Sequence, residues 1–125
     1  MKIINIESFN QFITIFNDSS IDYIIINISA LWCKPCNEIK EELSEFINNL
    51  TLENSVFLKI NYDLMEEEQD FSEYLQPNKI PYFYIFKDKS IQTHFQSSNM
   101  ETIKNNITTE IFENNNKTFD LSNDF

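Results

Sequence analysis

Apolar residues fall along the chain in two periods. Phe9, Phe12, Ile13 and Phe16 are spaced i, i+3, i+4 and i+7, which is one face of a helix, and Ser8 stands ready to cap it. Ile39, Leu43, Phe46, Ile47 and Leu50 mark a second helix, and Met100, Ile103, Ile107 and Ile111 a last one. Between them lie short β-branched and aromatic runs. Residues 2–6 read as a first strand. Residues 23–28, Tyr-Ile-Ile-Ile-Asn-Ile, read as a strand buried on both faces. Residues 56–62 predict another buried strand, and 81–86 a further central one. Asp88-Lys89-Ser90 predicts a tight turn into a strand at 91–95, a hairpin without the usual Asn-Gly signal.

The weakest element is acidic. Glu66, Glu67, Glu68 and Asp70 are expected to begin a helix that carries Phe71, Tyr74 and Leu75 and stops at Pro77-Asn78. From Asn114 onward the pattern is polar and aperiodic. The expected organisation is therefore one domain over residues 1–113 and a polar tail over 114–125. The order β-α-β-α-β-α-β-β-α implies an α/β protein, a sheet with helices on both faces.

Composition narrows the classes. The chain has 125 residues, 12 Phe and no Gly, so its turns fall to Asn, Asp, Ser, Lys and Pro. Its net charge of −11 opposes binding to nucleic acid or to an anionic membrane surface. No segment approaches the roughly 20 apolar residues of a membrane span, and the first residues lack the apolar run of a signal peptide. A cytoplasmic protein is expected. The wealth of Asn, Ile, Lys and Phe suits an A/T-rich genome. Packaging in a virus particle is the alternative if the source is a large DNA virus.

The two cysteines are Cys33 and Cys36. A bridge between them closes too small a loop to restrain much of the unfolded chain, so chemistry explains them better than stapling. They follow the buried strand directly, at the start of the second helix. A helix N-terminus offers free N–H groups and positive potential, which favour a thiolate at Cys33. Lys34 adds a nearby positive charge. Pro35 fits a first helical turn, where its missing N–H costs nothing. Cys36 is one turn further in and close enough to attack a mixed disulfide at Cys33. A half-site for an intermolecular zinc or iron–sulfur centre is the other reading of this spacing. One chain, with only His94 besides, cannot supply four ligands.

With Trp32-Cys33-Lys34-Pro35-Cys36 after a buried strand, and Ile80-Pro81 opening a later one, the chain resembles the thioredoxin family over about residues 2–111. The resemblance implies a thioredoxin fold, a central mixed five-stranded sheet flanked by four α-helices. It implies a thiol–disulfide oxidoreductase with Cys33 as nucleophile and Cys36 as resolving thiol, the two forming a disulfide when oxidised. It implies a cis bond at Pro81, backbone pairing of substrate with Ile80, and docking over Trp32. Expected partners are disulfide-bearing proteins and a thioredoxin reductase or glutathione-type recycling system. The protein is expected to be a monomer without cofactor or metal.

Besides Lys34, which replaces the commoner Gly between the cysteines, three positions depart from the family pattern. Asn27 stands where a buried Asp is usual, six residues before the first cysteine, and an amide cannot take a proton from Cys36. Lys59 matches a lysine near that Asp and is expected close to Asn27. Tyr82 is bulkier than the usual Thr after the proline, and a family Gly is replaced around Gln96, which suggests a narrower partner set. A partner-binding scaffold with weak redox activity, or a disulfide oxidase or isomerase, remains the alternative function.

Overall fold

The computed structural model describes residues 1–113; the polar tail expected at 114–125 lies outside the described residues. The strands are β1 (Lys2–Asn5), β2 (Tyr23–Ser29), β3 (Ser55–Asn61), β4 (Tyr82–Lys87) and β5 (Ser90–Gln96). The helices are α1 (Phe9–Phe16), α2 (Lys34–Asn49), α3 (Tyr62–Glu67) and α4 (Met100–Thr108). A 3₁₀ turn, Gln69–Glu73, follows α3, and a π-helical turn, Thr109–Glu113, extends α4.

The sheet has five strands in the order β1-β3-β2-β4-β5. β3 is parallel to both β1 and β2, whereas β4 is antiparallel to β2 and β5 to β4. This is the expected mixed five-stranded sheet with four helices. Side chains alternate across it. Ile24, Ile26 and Ile28 face a core built with Phe12 and Phe16 of α1 and with Phe71 and Leu75. Tyr23 and Ile25 face the other core, with Ile39, Leu43 and Ile47 of α2 and Ile103 and Ile107 of α4. β2 is therefore buried on both faces. Each such Ile or Phe contributes about 1.5–3 kcal/mol relative to an exposed one.

One element begins earlier than expected. The third helix opens at Tyr62, because Asn61 caps it by accepting the N–H of Asp63 at 2.9 Å. It ends at Glu67, and the apolar stripe of Phe71 belongs to the 3₁₀ turn. Tyr62 is consequently helical, and β3 stops at Asn61. The last helix changes to a π turn after Thr108, which still carries Ile111 into the core. The Asp88-Lys89 turn is made with both residues at positive φ, 50° and 67°, as a two-residue hairpin turn of the primed kind demands.

Candidate active site

The end of β2 and the start of α2 build the site. Cys33 is the N-cap of α2, and its Sγ accepts the backbone N–H of Cys36 at 3.3 Å. Sulfur thus occupies the place a Ser or Asp oxygen takes in an ordinary cap. Pro35 lies in the first turn, where it gives up no helical hydrogen bond. Lys34 opens the helix and is exposed. The loop before it is pinned by Asn37, whose Nδ2 donates to the Leu31 carbonyl at 2.9 Å, and by the Cys33 N–H on the Ala30 carbonyl at 3.2 Å.

Cys33 and Cys36 are joined as a disulfide with Cα atoms 5.3 Å apart, inside the usual range for such a bridge. Both are nearly covered, at 5% and 6% exposure. Ile80 and Tyr62 pack against them. The Ile80–Pro81 peptide bond is cis, as the motif implies, and Pro81 lines the same cavity as Cys36. The sequence elements read as a cysteine pair and a proline loop therefore meet in space.

Trp32, beside Cys33, is 63% exposed, and Leu31 is 76% exposed. Together they make an exposed apolar patch beside a covered disulfide. Trp32 Nε1 donates to Asp63 Oδ1 at 3.1 Å, and its ring meets Tyr62 edge-on at 6.4 Å. A groove of ≈ 200 Å³ runs beside it, lined by Trp32, Tyr62, Pro77, Asn78, Lys79 and Ile80. Asp63 and Lys79 carried no signal of this role in the sequence. Gln96 stands opposite Tyr82 in the β4–β5 ladder, at the same end of the sheet. The Tyr82 side chain turns to the α1 face, where its hydroxyl meets His94 Nδ1 at 2.7 Å.

On the other side of the disulfide lies a cavity of ≈ 440 Å³, under α2 and over β1, β3 and β2. Strand alternation puts Asn5, Lys59 and Asn27 on the α2 face as one polar row, since Asn5 and Asn27 are both register partners of Lys59. Asn27 is 2% exposed and donates from Nδ2 to the Tyr82 carbonyl at 3.4 Å. Lys59 lines the cavity beside it, as expected, and so does Lys40. Burial, and then the like charge of Lys40, hold the Lys59 pKa below its ordinary value. Among the described residues no cluster of His, Cys, Asp and Glu could hold a metal ion.

A helix-capping sulfur bridged to a second one turn away, facing a cis proline and an open tryptophan, is a site for dithiol–disulfide exchange. On such a fold it defines a thiol–disulfide oxidoreductase. The thioredoxin family model matches residues 1–109, and the chain belongs to the thioredoxin family. Thioredoxin of Equus caballus is 30% identical over 82% of this chain and 92% of its own length. The fold is also that of Schistosoma mansoni thioredoxin, at TM-score 0.74 and 18% identity over 88% of this chain and 96% of that one. A solved complex of ferredoxin:thioredoxin reductase with thioredoxin f2 contains a chain matching at TM-score 0.72 and 18% identity, over 86% of this chain and 94% of that one.

Proposed function

We propose that this oxidoreductase works as a monomeric, cytoplasmic reductant of protein disulfides. The Cys33 thiolate attacks a partner's disulfide, bonds to one sulfur and releases the other as a thiolate. Cys36, deprotonated, then attacks Cys33 Sγ. The Cys33–Cys36 bond forms, and the partner leaves with both sulfurs reduced. The single observation that carries this order is the position of Cys33 Sγ at the N-cap of α2, accepting the Cys36 N–H at 3.3 Å. That N–H and the helix dipole stabilise the sulfur that must attack first.

An extended partner segment pairs with the backbone of Ile80 beside Pro81 and rests on Trp32, in the manner of strand addition. Tyr82 and Gln96 narrow the choice of partner from the far edge. Lys34 supports the Cys33 thiolate by its charge. A reductase of thioredoxin type, or a glutathione-type system, restores the dithiol. Support for the first comes from the fold neighbour solved with ferredoxin:thioredoxin reductase.

A second reading has one observation in its favour. Asn27 leaves the cavity behind Cys36 without a proton-accepting carboxylate, which suits a binding module with weak redox activity. Insulin reduction driven by dithiothreitol separates the two. Under the first reading the protein accelerates precipitation of insulin chains, Cys33→Ser abolishes the effect, and Cys36→Ser accumulates a mixed disulfide. Partner binding that survives Cys33→Ser, with no turnover by the parent protein, would establish the second.

A further inference from the structure

The cavity behind the disulfide holds positive charge and no negative charge. Its titratable lining among the described residues is Cys36 and Lys40 from α2 and Lys59 from β3. β1 and β2 contribute Asn5, Asn27 and Ser29, and the proline loop contributes Pro81, none of which titrates in the working range. Lys40 follows Cys36 by four positions on one helix, so the two share a face, and helical side chains lean back toward the N-terminus. Lys59 reaches the same space from the sheet. The one ion pair found among the described residues, Lys104 with Glu42, involves neither lysine. In a chain of net charge −11 two ammonium groups are thus gathered behind the resolving sulfur without a carboxylate.

We propose that Lys40 and Lys59 are positioning residues that stabilise the Cys36 thiolate during resolution, where the family's buried carboxylate would have taken its proton. The inference rests on the assignment of Cys36 as the resolving thiol. In the mixed disulfide Cys36 is a free thiol. It gives its proton to solvent water reaching the cavity, and its electron pair forms the bond to Cys33 Sγ. The bond between Cys33 and the partner breaks. The partner's sulfur leaves as a thiolate and takes up a proton from solvent. The protein is oxidised by two electrons and the partner reduced by two. The lysines take no proton in this scheme. They favour the charged form of Cys36 because an opposite charge nearby lowers a thiol's pKa.

The depressed pKa of Lys59 is consistent with this. Burial lowers it first and the like charge of Lys40 second, and a thiolate formed in the same space offsets both.

The test uses Cys33→Ser, in which Cys36 is the only thiol and its thiolate absorbance reports its titration directly. Lys40→Met and Lys59→Met should each raise the Cys36 midpoint by about half a unit, and the double variant by about a full unit. Added salt should shrink these differences. Lys59→Arg should leave the midpoint in place, because the charge is kept. Lys40 is exposed, so Lys40→Met reads the effect even where the Lys59→Met chain unfolds. An unchanged midpoint in the lysine variants overturns the proposal. So does a Lys59→Arg shift as large as that of Lys59→Met, since geometry rather than charge would then be responsible. The insulin assay on the parent protein is independent of this titration. Turnover with an unmoved midpoint removes only the lysine inference, and a moved midpoint without turnover removes only the reductase reading.

Discussion

Trp32 and Asp63 are tied together beside the cysteine pair, the indole Nε1 lying 3.1 Å and 3.3 Å from the two carboxylate oxygens. The ring is 63% exposed, so packing alone does not fix it. A charged acceptor on α3 does, and it holds the indole beside the cysteines before a partner arrives. Ordering an aromatic in advance lowers the entropic cost of binding. Asp63→Ala should therefore loosen the indole and raise KM for a protein disulfide a few-fold while leaving kcat nearly unchanged. Stability should move by less than about 0.5 kcal/mol, since both groups are at the surface. Trp32 is the only tryptophan, so its fluorescence anisotropy follows the loosening without interference. An anisotropy and KM equal to those of the parent would show that the bond orders nothing.

This bond also marks the limit of what the sequence discloses. The cysteine string and the Ile80-Pro81 pair are local, and each is legible because a few adjacent residues carry the whole chemical requirement. β2 was legible because burial on both faces leaves an unbroken apolar run. Asp63 was not, because its partner is 31 positions away and nothing local distinguishes it from a surface acid. The early start of α3 was hidden for a related reason. Asn61 caps that helix at the end of an apolar strand, so the pattern ran on through Tyr62. Lys40 carries no local signal that sets it apart from other helix lysines, and only the fold brings it to the same cavity as Lys59. The pairing of Asn27 with Lys59 came from the family resemblance, and its physical cause is the parallel register of β2 and β3.

That register makes Asn27→Asp an informative change. Asn27 is 2% exposed, on the same face as Lys59, and lines the cavity with Cys36. A carboxylate there could accept the Cys36 proton, and the two ammonium groups would hold it in the charged, proton-accepting form. Resolution of the mixed disulfide should speed up several-fold. The gain should be largest at and below neutral pH, where an ordinary thiol is mostly protonated. Rapid-quench measurement of partner release from the mixed disulfide reports it. A rate equal to or below that of the parent would mean that proton removal from Cys36 does not limit resolution.

The turn between β4 and β5 shows what a chain without glycine gives up. Asn54, Asp88 and Lys89 have φ of 56°, 50° and 67°. Asn and Asp tolerate this region through local hydrogen bonding, but lysine has no such compensation. A non-glycine residue there costs roughly 1–2 kcal/mol, and glycine returns about 0.5–1 kcal/mol of that as unfolded-state entropy. Lys89→Gly should stabilise the protein by about 0.5–1 kcal/mol in urea melts. Insulin reduction should be unaffected, because the turn lies at the opposite end of β4 from Pro81. A neutral or destabilising result would mean that the lysine side chain makes a compensating interaction in the hairpin.

Lys59 itself gives the folded protein a distinctive pH response. Its pKa in the fold is lowered from 10.5, first by burial and then by Lys40. The charged form is thus disfavoured on folding, and the unfolded chain binds the Lys59 proton more tightly. Below the folded pKa both states are protonated and the penalty is present in full. As pH rises from the folded value toward 10.5 the native state releases its proton first, and the penalty disappears. Lys59→Met removes the penalty at every pH. In the oxidised protein this variant should therefore unfold at higher urea than the parent at neutral pH. Its advantage should shrink steadily as the pH climbs toward 10.5, while other alkaline titrations cancel between the two proteins. An advantage that stays constant with pH would trace the gain to the packing of the methionine, and would mean that Lys59 bears no charge penalty in the fold.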